Sequence, residues 1–307
     1  MKVAVVAHVE KGPGGGLVEL EEILAREGCI DPIWYEVSVS RRAPRYASRS
    51  VARGAEVVFV WGGDGMVQRC IDALVETDAV IAILPVGKSN LLAANLAIPT
   101  DLTEAVRVGL YGDRRLIDTG SINGEHFAVM AGTGLEAFVI KESGSKSKGR
   151  IGRLAYFYSG SKNLSARRAK ARIEVDGKRF FKGKISCILI GNVSKGQGGV
   201  EVFSQAQPDD GLLELAVVTT KNSAEWARTL RRTTGSITEE SRLAEMTRGK
   251  EFQIRFDRRF AYEIDGNSRD SVKKLKIKVH PSSIKICVPT FGVSEAAAGG
   301  ERSRRST

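Results

Sequence analysis

Two glycine-bearing loops hold the residues most able to do chemistry. An apolar run, Glu56–Trp61, leads straight into Gly62-Gly63-Asp64-Gly65. After the loop, Val67, Cys70, Ile71, Leu74 and Val75 recur at helical spacing. Three glycines let a backbone approach a ligand closely and take positive φ. The N–H groups opening the helix favour an anion. A carboxylate repels bare phosphate, so Asp64 makes sense there if it takes a proton from a nucleophile or faces a metal-bound phosphate. Read alone, the loop is equally a plain turn with Asp64 as a helix cap. The next apolar run, Val80–Val86, ends in Gly87-Lys88-Ser89-Asn90. There Lys88 and the amides around Ser89 could hold phosphates, or Lys88 could be solvated and Asn90 an N-cap. Ala82–Ser89 also comes within one residue of the phosphate-loop pattern GxxxxGK[ST]. Against that pattern, Ala82–Leu84 look like strand interior, and Pro85 removes an N–H that would wrap the phosphates.

These loops need a scaffold that brings strand ends together. Met1–Val9 is a Val-rich strand candidate, and Leu17–Glu27 has helical spacing stopped by Gly28. Pro32–Ser38 suits a strand and Arg45–Arg53 a helix, and Leu91–Ala97 continues as helix after the second loop. Alternation of this kind predicts an open parallel sheet covered on both faces, with ligands outside the carboxyl ends of its strands. Near Asp118 the pattern changes to short strand candidates: Phe127–Met130, Ala171–Val175, Arg179–Phe181, Ile185–Ile190, Leu212–Val218, Phe252–Phe256, Ala261–Ile264, Leu275–Val279 and Ile284–Val288. Asp176-Gly177 signals a hairpin. Ile151–Leu164 and Ala224–Thr233 read as helices within a β-rich half, expected to be a sandwich. The end, 293–307, is expected to be a disordered tail.

The chain has 307 residues, 42% of them hydrophobic, enough for two cored domains. No apolar run is long enough to span a bilayer, and the N-terminus does not fit a signal peptide. Cys29, Cys70, Cys187 and Cys287 lie far apart in apolar company and read as reduced core residues of a cytoplasmic protein. The net charge is +11, and residues 141–184 hold fourteen Lys or Arg against three acids. Such a patch points to phosphate ligands, nucleic acid or a membrane, or else is a solvated face. Lacking an aromatic-and-basic recognition motif, the chain is not expected to bind nucleic acid.

Five segments in order carry a wider likeness: the GGDG loop, Leu84–Pro99, Ile117-Asp118-Thr119-Gly120, Pro208–Leu213 and Asp265-Gly266. Together they resemble the diacylglycerol kinase catalytic-domain family, which includes bacterial lipid kinases and sphingosine kinases, over roughly residues 1–290. The resemblance implies an α/β nucleotide-binding domain like those of NAD kinases and phosphofructokinases, made of 1–118 plus about 284–292. A β-sandwich lipid-substrate domain, 119–283, would follow, with ATP in the cleft. It assigns Gly62, Gly63, Asp64, Gly65, Met66, Val67 and Gln68 to the nucleotide loop and Gly87, Lys88, Ser89 and Asn90 to a second phosphate loop. It places Mg²⁺ at Asp210, the Leu212 carbonyl and the backbone near Gln207, oxygen ligands suited to a hard cation. The implied activity is transfer of the ATP γ-phosphate to a lipid hydroxyl, diacylglycerol being the simplest acceptor.

The chain departs from the family pattern at five places. Met66 stands for a Thr, Gln68-Arg69 for Asn-Glu, and Lys88 for a Thr. The first loop, Ala7–Gly12, lacks the family's Asn-Pro-x-Ser-Gly. Asn267 replaces the Glu that is the proposed general base in bacterial members, and an amide cannot accept that proton. Asp64 or Asp265 then has to serve, or the chain is a weak or inactive nucleotide- or lipid-binding homologue. NAD kinase is the other enzyme reading. A lipid kinase would sit peripherally at an anionic membrane. There Lys146, Lys148, Arg150, Arg153, Arg167, Arg168, Lys170 and Arg172 would meet headgroups, with Tyr156–Tyr158 between them dipping into the interface or else packing in the core. A homodimer stays open.

Overall fold

The computed structural model describes residues 1–12, 15–134, 168–196, 201–219 and 244–290. The helices expected at 151–164 and 224–233, the basic run from Lys146 to Arg167 and the tail lie outside them.

The first half is a parallel sheet wrapped by helices. Its strands are β1 (Val3–His8), β2 (Ile33–Val37), β3 (Val57–Gly62) and β4 (Val80–Pro85), in the order β2-β1-β3-β4. β1 and β3 are buried along their whole length, as continuous apolar runs in a two-sided sheet must be. Alternate residues divide between two cores. Val3, Val5, Ala7, Phe59 and Trp61 pack with Leu20, Ile23 and Leu24 of α1 (Gly16–Arg26) and with Ala105, Val106 and Leu110 of α5 (Leu102–Tyr111). Ala4, Val6, Val58 and Val60 pack with Ala43 and Ala47 of α2 (Ala43–Ala52) and with Val67, Cys70, Ile71 and Leu74 of α3 (Asp64–Leu74). The short α4 (Leu91–Asn95) follows the second loop.

The second half is antiparallel and sandwich-like. It holds β5 (Asp113–Ile122), β6 (Glu125–Phe127), β7 (Met130–Thr133), β8 (Ala169–Val175), β9 (Lys178–Ile185), β10 (Cys187–Gly191), β11 (Leu213–Val218), β12 (Ala244–Gly249), β13 (Glu251–Ile264) and β14 (Asn267–Val288). Ile122, Phe127, Ile173, Ile188, Leu215, Phe252, Ile254 and Ile277 form its main core. β14 joins the halves. Its first part pairs with β13, and after a register shift between His280 and Ile284 it runs parallel to β4 at Lys285 and Ile286.

Several elements differ from expectation, each for a local reason. The strand expected over Phe127–Met130 breaks because the N–H groups of Ala128 and Val129 turn to a carboxylate. Phe252–Phe256 and Ala261–Ile264 are one strand, as are Leu275–Val279 and Ile284–Val288. Ile185–Ile190 divides between β9 and β10. The Asp176-Gly177 hairpin forms with positive φ at both residues, 49° and 77°. Helix α5 was not anticipated, although Asp101 caps it by accepting the Glu104 N–H at 3.0 Å. Cys70, Cys187 and Cys287 are buried, Cys29 is half-buried, and all four are free thiols.

Candidate active site

β3 ends at Gly62 and α3 begins at Asp64, leaving Gly63 as the only linker. The Gly63 carbonyl accepts the N–H groups of Met66 and Val67, at 2.9 and 3.1 Å, and starts the helix. The second loop presses onto the first: a Cβ built on Gly87 would lie 2.6 Å from the Gly63 Cα, so no side chain fits there. Asn90 shapes this loop. It adopts φ 46°, accepts the Gly87 N–H at 2.9 Å, and donates to the carbonyls of Pro85 and Gly87 at 3.0 and 2.9 Å. The Asn90 side chain therefore builds the loop, while Lys88 stands exposed and Ser89 half-buried at its tip.

Asp64 does not cap its own helix. Its Oδ1 accepts the N–H of Leu91, at the start of α4, and so ties the two loops together. Burial raises its pKa; the N–H groups of Leu91, Asn90 and Leu92 work against that rise. Within the loop, Met66 and Val67 are core residues. Gln68, 1% exposed, donates to the His126 carbonyl at 2.7 Å. A ligand at this loop would meet Gly63, Asp64 and Gly65, which are half-buried, and not the three buried residues that follow.

From the other half, the two-residue turn between β13 and β14 comes up against α3. Asp265 and Gly266 take φ 42° and 78°, the left-handed pair that a tight hairpin requires. Asp265 is 5% exposed. Its Oδ1 accepts from Val129 and Met130 at 3.1 and 2.8 Å, and its Oδ2 from Ala128 at 3.0 Å. Burial pushes its pKa up to about 7, the three amides oppose that rise, and the nearby Asp64 charge adds to it. Asn267 lies directly over Gly65, where a Cβ would come 2.8 Å from its amide. The Asn267 Nδ2 donates to the Asp265 carbonyl at 3.3 Å. Thus Gly63, Asp64, Gly65, Gly87, Asp265 and Asn267 converge from residues far apart in sequence.

The expected Mg²⁺ residues are arranged otherwise. Asp210 Oδ1 accepts the Leu212 N–H at 3.0 Å, and its Oδ2 is paired with the Arg248 guanidinium. Arg248 Nε also reaches Glu214, itself 5% exposed, at 2.6 Å. Asp118 holds the same loop, its Oδ2 accepting the Gly211 N–H at 2.6 Å and its Oδ1 the Ser282 N–H at 2.7 Å. A cation on the Asp210 carboxylate would face a guanidinium, so Mg²⁺ at Gln207, Asp210 and Leu212 does not fit this arrangement. Among the described residues no group of three His, Cys, Asp or Glu side chains is placed to hold a metal.

Sequence reasoning missed Arg248, Glu125 and Arg269. Arg269, two residues past Asn267, pairs with Glu125 of β6, which also meets Gln68 at 3.4 Å. That chain ties α3 to the hairpin. No local pattern announces it, because Glu125 and Arg269 are distant in sequence. Arg248 could be found only through the β11–β12 register, which sets it opposite Glu214.

Comparisons with known proteins agree with this architecture. A family model described as the diacylglycerol kinase catalytic domain matches residues 14–122, and one described as the YegS C-terminal NAD kinase beta sandwich-like domain matches 129–288. A diacylglycerol kinase of Bacillus subtilis (strain 168) is 31% identical over 191 residues, 61% of this chain and 62% of that protein. A diacylglycerol kinase of Staphylococcus carnosus (strain TM300) is 31% identical over 182 residues, 58% of this chain and 59% of its own length. The aligned stretch thus covers less than two thirds of these curated relatives. Among solved structures, a diacylglycerol kinase from Bacillus anthracis str. Sterne superposes with a TM-score of 0.72 at 19% identity, covering 94% of this chain and 96% of that one. An NAD kinase from Archaeoglobus fulgidus in complex with ATP gives a TM-score of 0.50 at 12% identity, covering 94% and 93%. Both structures share the fold. The chain belongs to the family in which a diacylglycerol kinase catalytic domain is followed by the YegS-type, NAD kinase-like β-sandwich domain.

Proposed function

We propose that this protein is a lipid kinase that transfers the γ-phosphate of ATP to a lipid hydroxyl, diacylglycerol being the simplest acceptor. The observation that carries the reading is the contact of the GGDG loop with the Asp265–Asn267 turn. It sets a glycine-lined, amide-rich loop beside two carboxylates whose pKa values are raised. Phosphoryl transfer asks the protein mainly for positioning and charge stabilisation. Amides at the start of α3, with Lys88 at the neighbouring tip, would receive the phosphates, supplied as the magnesium complex of ATP. Asp64 takes the acceptor proton: it is half-buried, and one of its oxygens is held by Leu91. Asp265 uses both oxygens on backbone amides and acts as a positioning residue for the 128–130 segment. The acceptor implies peripheral contact with a membrane. Among the described residues no helix is long and apolar enough to cross one.

Incubation with γ-labelled ATP, Mg²⁺ and an extracted lipid mixture in mixed micelles tests the reading, with products separated by chromatography. A labelled lipid supports it, and its mobility names the acceptor. Label on NAD instead would make the protein an NAD kinase. Asn267 favours a second reading, a nucleotide-binding homologue without activity. ATP binding with no labelled product, and activity gained by Asn267→Glu, would establish that reading.

A further inference from the structure

The outer face of β9-β8-β13-β14 places like charges side by side. Lys182 of β9 lies opposite Arg172 of β8, Arg172 opposite Arg255 of β13, and Arg255 opposite Lys274 of β14. Four cations thus form one row across four strands. In the adjoining row Lys184 lies opposite Lys170. Lys170, Arg172, Lys182, Lys184 and Arg255 are exposed, and Lys274 is half-buried. Among the described residues none of the six makes an ion pair. The five exposed cations line one open cleft of about 540 Å³, whose single acid is Asp257. Asp257 accepts the backbone N–H of Lys170 at 3.0 Å.

Like charges directly opposite one another destabilise a sheet. Edge protection accounts for part of the row, since lysines deter edge pairing and β9 pairs only with β8 among the described strands. It does not account for Arg172, Arg255 and Lys274, which lie on strands paired on both sides. Anions covering the face would offset their repulsion. At about 4.8 Å between strands the row is roughly 15 Å wide. The aromatic side chain in the cleft, Phe256, is buried and offers no stacking surface for a base. A broad basic face with one recess suits many phosphates in a plane, not a single stacked strand.

We propose that this face docks the protein on an anionic phospholipid bilayer, with the cleft receiving a headgroup phosphate. The proposal deepens the lipid-kinase reading and rests on it for the choice of occupant. The β13–β14 hairpin carries the basic row on its stem and Asp265–Asn267 at its turn. Docking would therefore fix the orientation of the candidate site to the membrane.

The test is cosedimentation of the full chain, without ATP, with phosphatidylcholine vesicles containing or lacking phosphatidylglycerol. Binding should require phosphatidylglycerol and fall as NaCl rises. The triple variant Arg172→Glu, Lys182→Glu, Arg255→Glu should bind more than about a hundredfold more weakly. The control Arg41→Glu, Arg42→Glu, Arg45→Glu makes the same charge change at exposed residues of the turn before α2 and of its first turn, and should bind nearly as the parent does. If the reversed triple does not fold, the three Gln replacements should still cost roughly a hundredfold. Equal losses in face and control variants would overturn the proposal, as would binding indifferent to phosphatidylglycerol or a face variant that loses only short-RNA binding. Activity on micellar lipid, read separately, keeps the outcomes apart. A failed dock leaves micelle activity in place, and a failed kinase reading leaves vesicle binding in place.

Discussion

Asp64 and Asp210 make an instructive pair. Both are acids in glycine-containing loops, and both look from the sequence like site residues. Asp64 is flanked by glycines, faces a second glycine loop, and its pKa is raised by burial. Asp210 is paired with Arg248, which continues to Glu214. The difference lies in what the rest of the fold brings to each carboxylate. A glycine loop keeps its acid available to a ligand; a loop met by a guanidinium has its acid already neutralised. The sharpest way to break this contrast is to neutralise each acid in turn. Asp64→Asn should lower phosphotransfer by about 10²–10⁴-fold, the range for a lost acid–base group. Asp210→Asn should leave turnover nearly unchanged and cost at most about 1 kcal/mol, the usual worth of a partly exposed pair. Equal losses in the lipid-labelling assay would end the distinction.

Asp265 tests the contrast from the side of the charge itself. Its folded pKa is raised, from 3.8 to about 7, so the native state binds this proton more tightly than the unfolded chain does. The resulting stability is fully present below pH 4 and is lost as pH rises through 7. The native protein should therefore lose a few kcal/mol from this group across that window. Asp265→Asn should flatten that part of the profile, seen in urea unfolding at stepped pH. An unchanged slope would mean that the carboxylate is not desolvated as its surroundings imply.

Arg248→Ala asks whether the second loop depends on its guanidinium. The change leaves Glu214 buried without that partner and should cost about 2–3 kcal/mol, the scale of hydrogen bonds to charged groups. In the parent, Mg²⁺ should not shift the melting temperature through this loop. A Mg²⁺-dependent rise in the parent would restore the cation site that the pairing argues against. Gly87→Ala probes the first loop by sterics alone. Its Cβ would meet backbone, the Gly63 Cα at 2.6 Å, so the loops must part. A stability loss of about 1–3 kcal/mol is expected, with impaired nucleotide binding.

How much of this was legible in the sequence follows the range of the interactions. The strands of the parallel sheet were readable because each is a short, fully buried apolar run. The positions of the two glycine loops at neighbouring strand ends followed from the same alternation. β13 and β14 were read as fragments because exposed charged or turn residues, Asp257-Arg258-Arg259 and Pro281-Ser282-Ser283, interrupt their patterns. At both places the ladder shifts register but continues. Asp265 and Asn267 entered through family resemblance, since no spacing rule brings Asn267 to Gly65. The Asp265-Gly266 step was nonetheless a readable hairpin signal. Arg248 was illegible, because only the β11–β12 register places it beside Glu214.

The smallest effect calibrates the others. Asp101 is an acid that only accepts a backbone N–H, that of Glu104 at 3.0 Å, at the start of α5. Among the described residues, no glycine loop, arginine or neighbouring site carboxylate hydrogen-bonds to it. Asp101→Ala should cost about 1 kcal/mol, as capping residues do, and leave phosphotransfer unchanged. Asp64 makes the same kind of bond, to Leu91. If Asp64 were only a cap joining α4 to the first loop, its replacement by Asn, which can still accept that N–H, would resemble the Asp101 result or be milder. A large activity loss in Asp64→Asn beside an intact melting temperature, against a small stability loss and full activity in Asp101→Ala, separates chemistry from capping. Matching behaviour in the two variants would return Asp64 to the role of a structural acid.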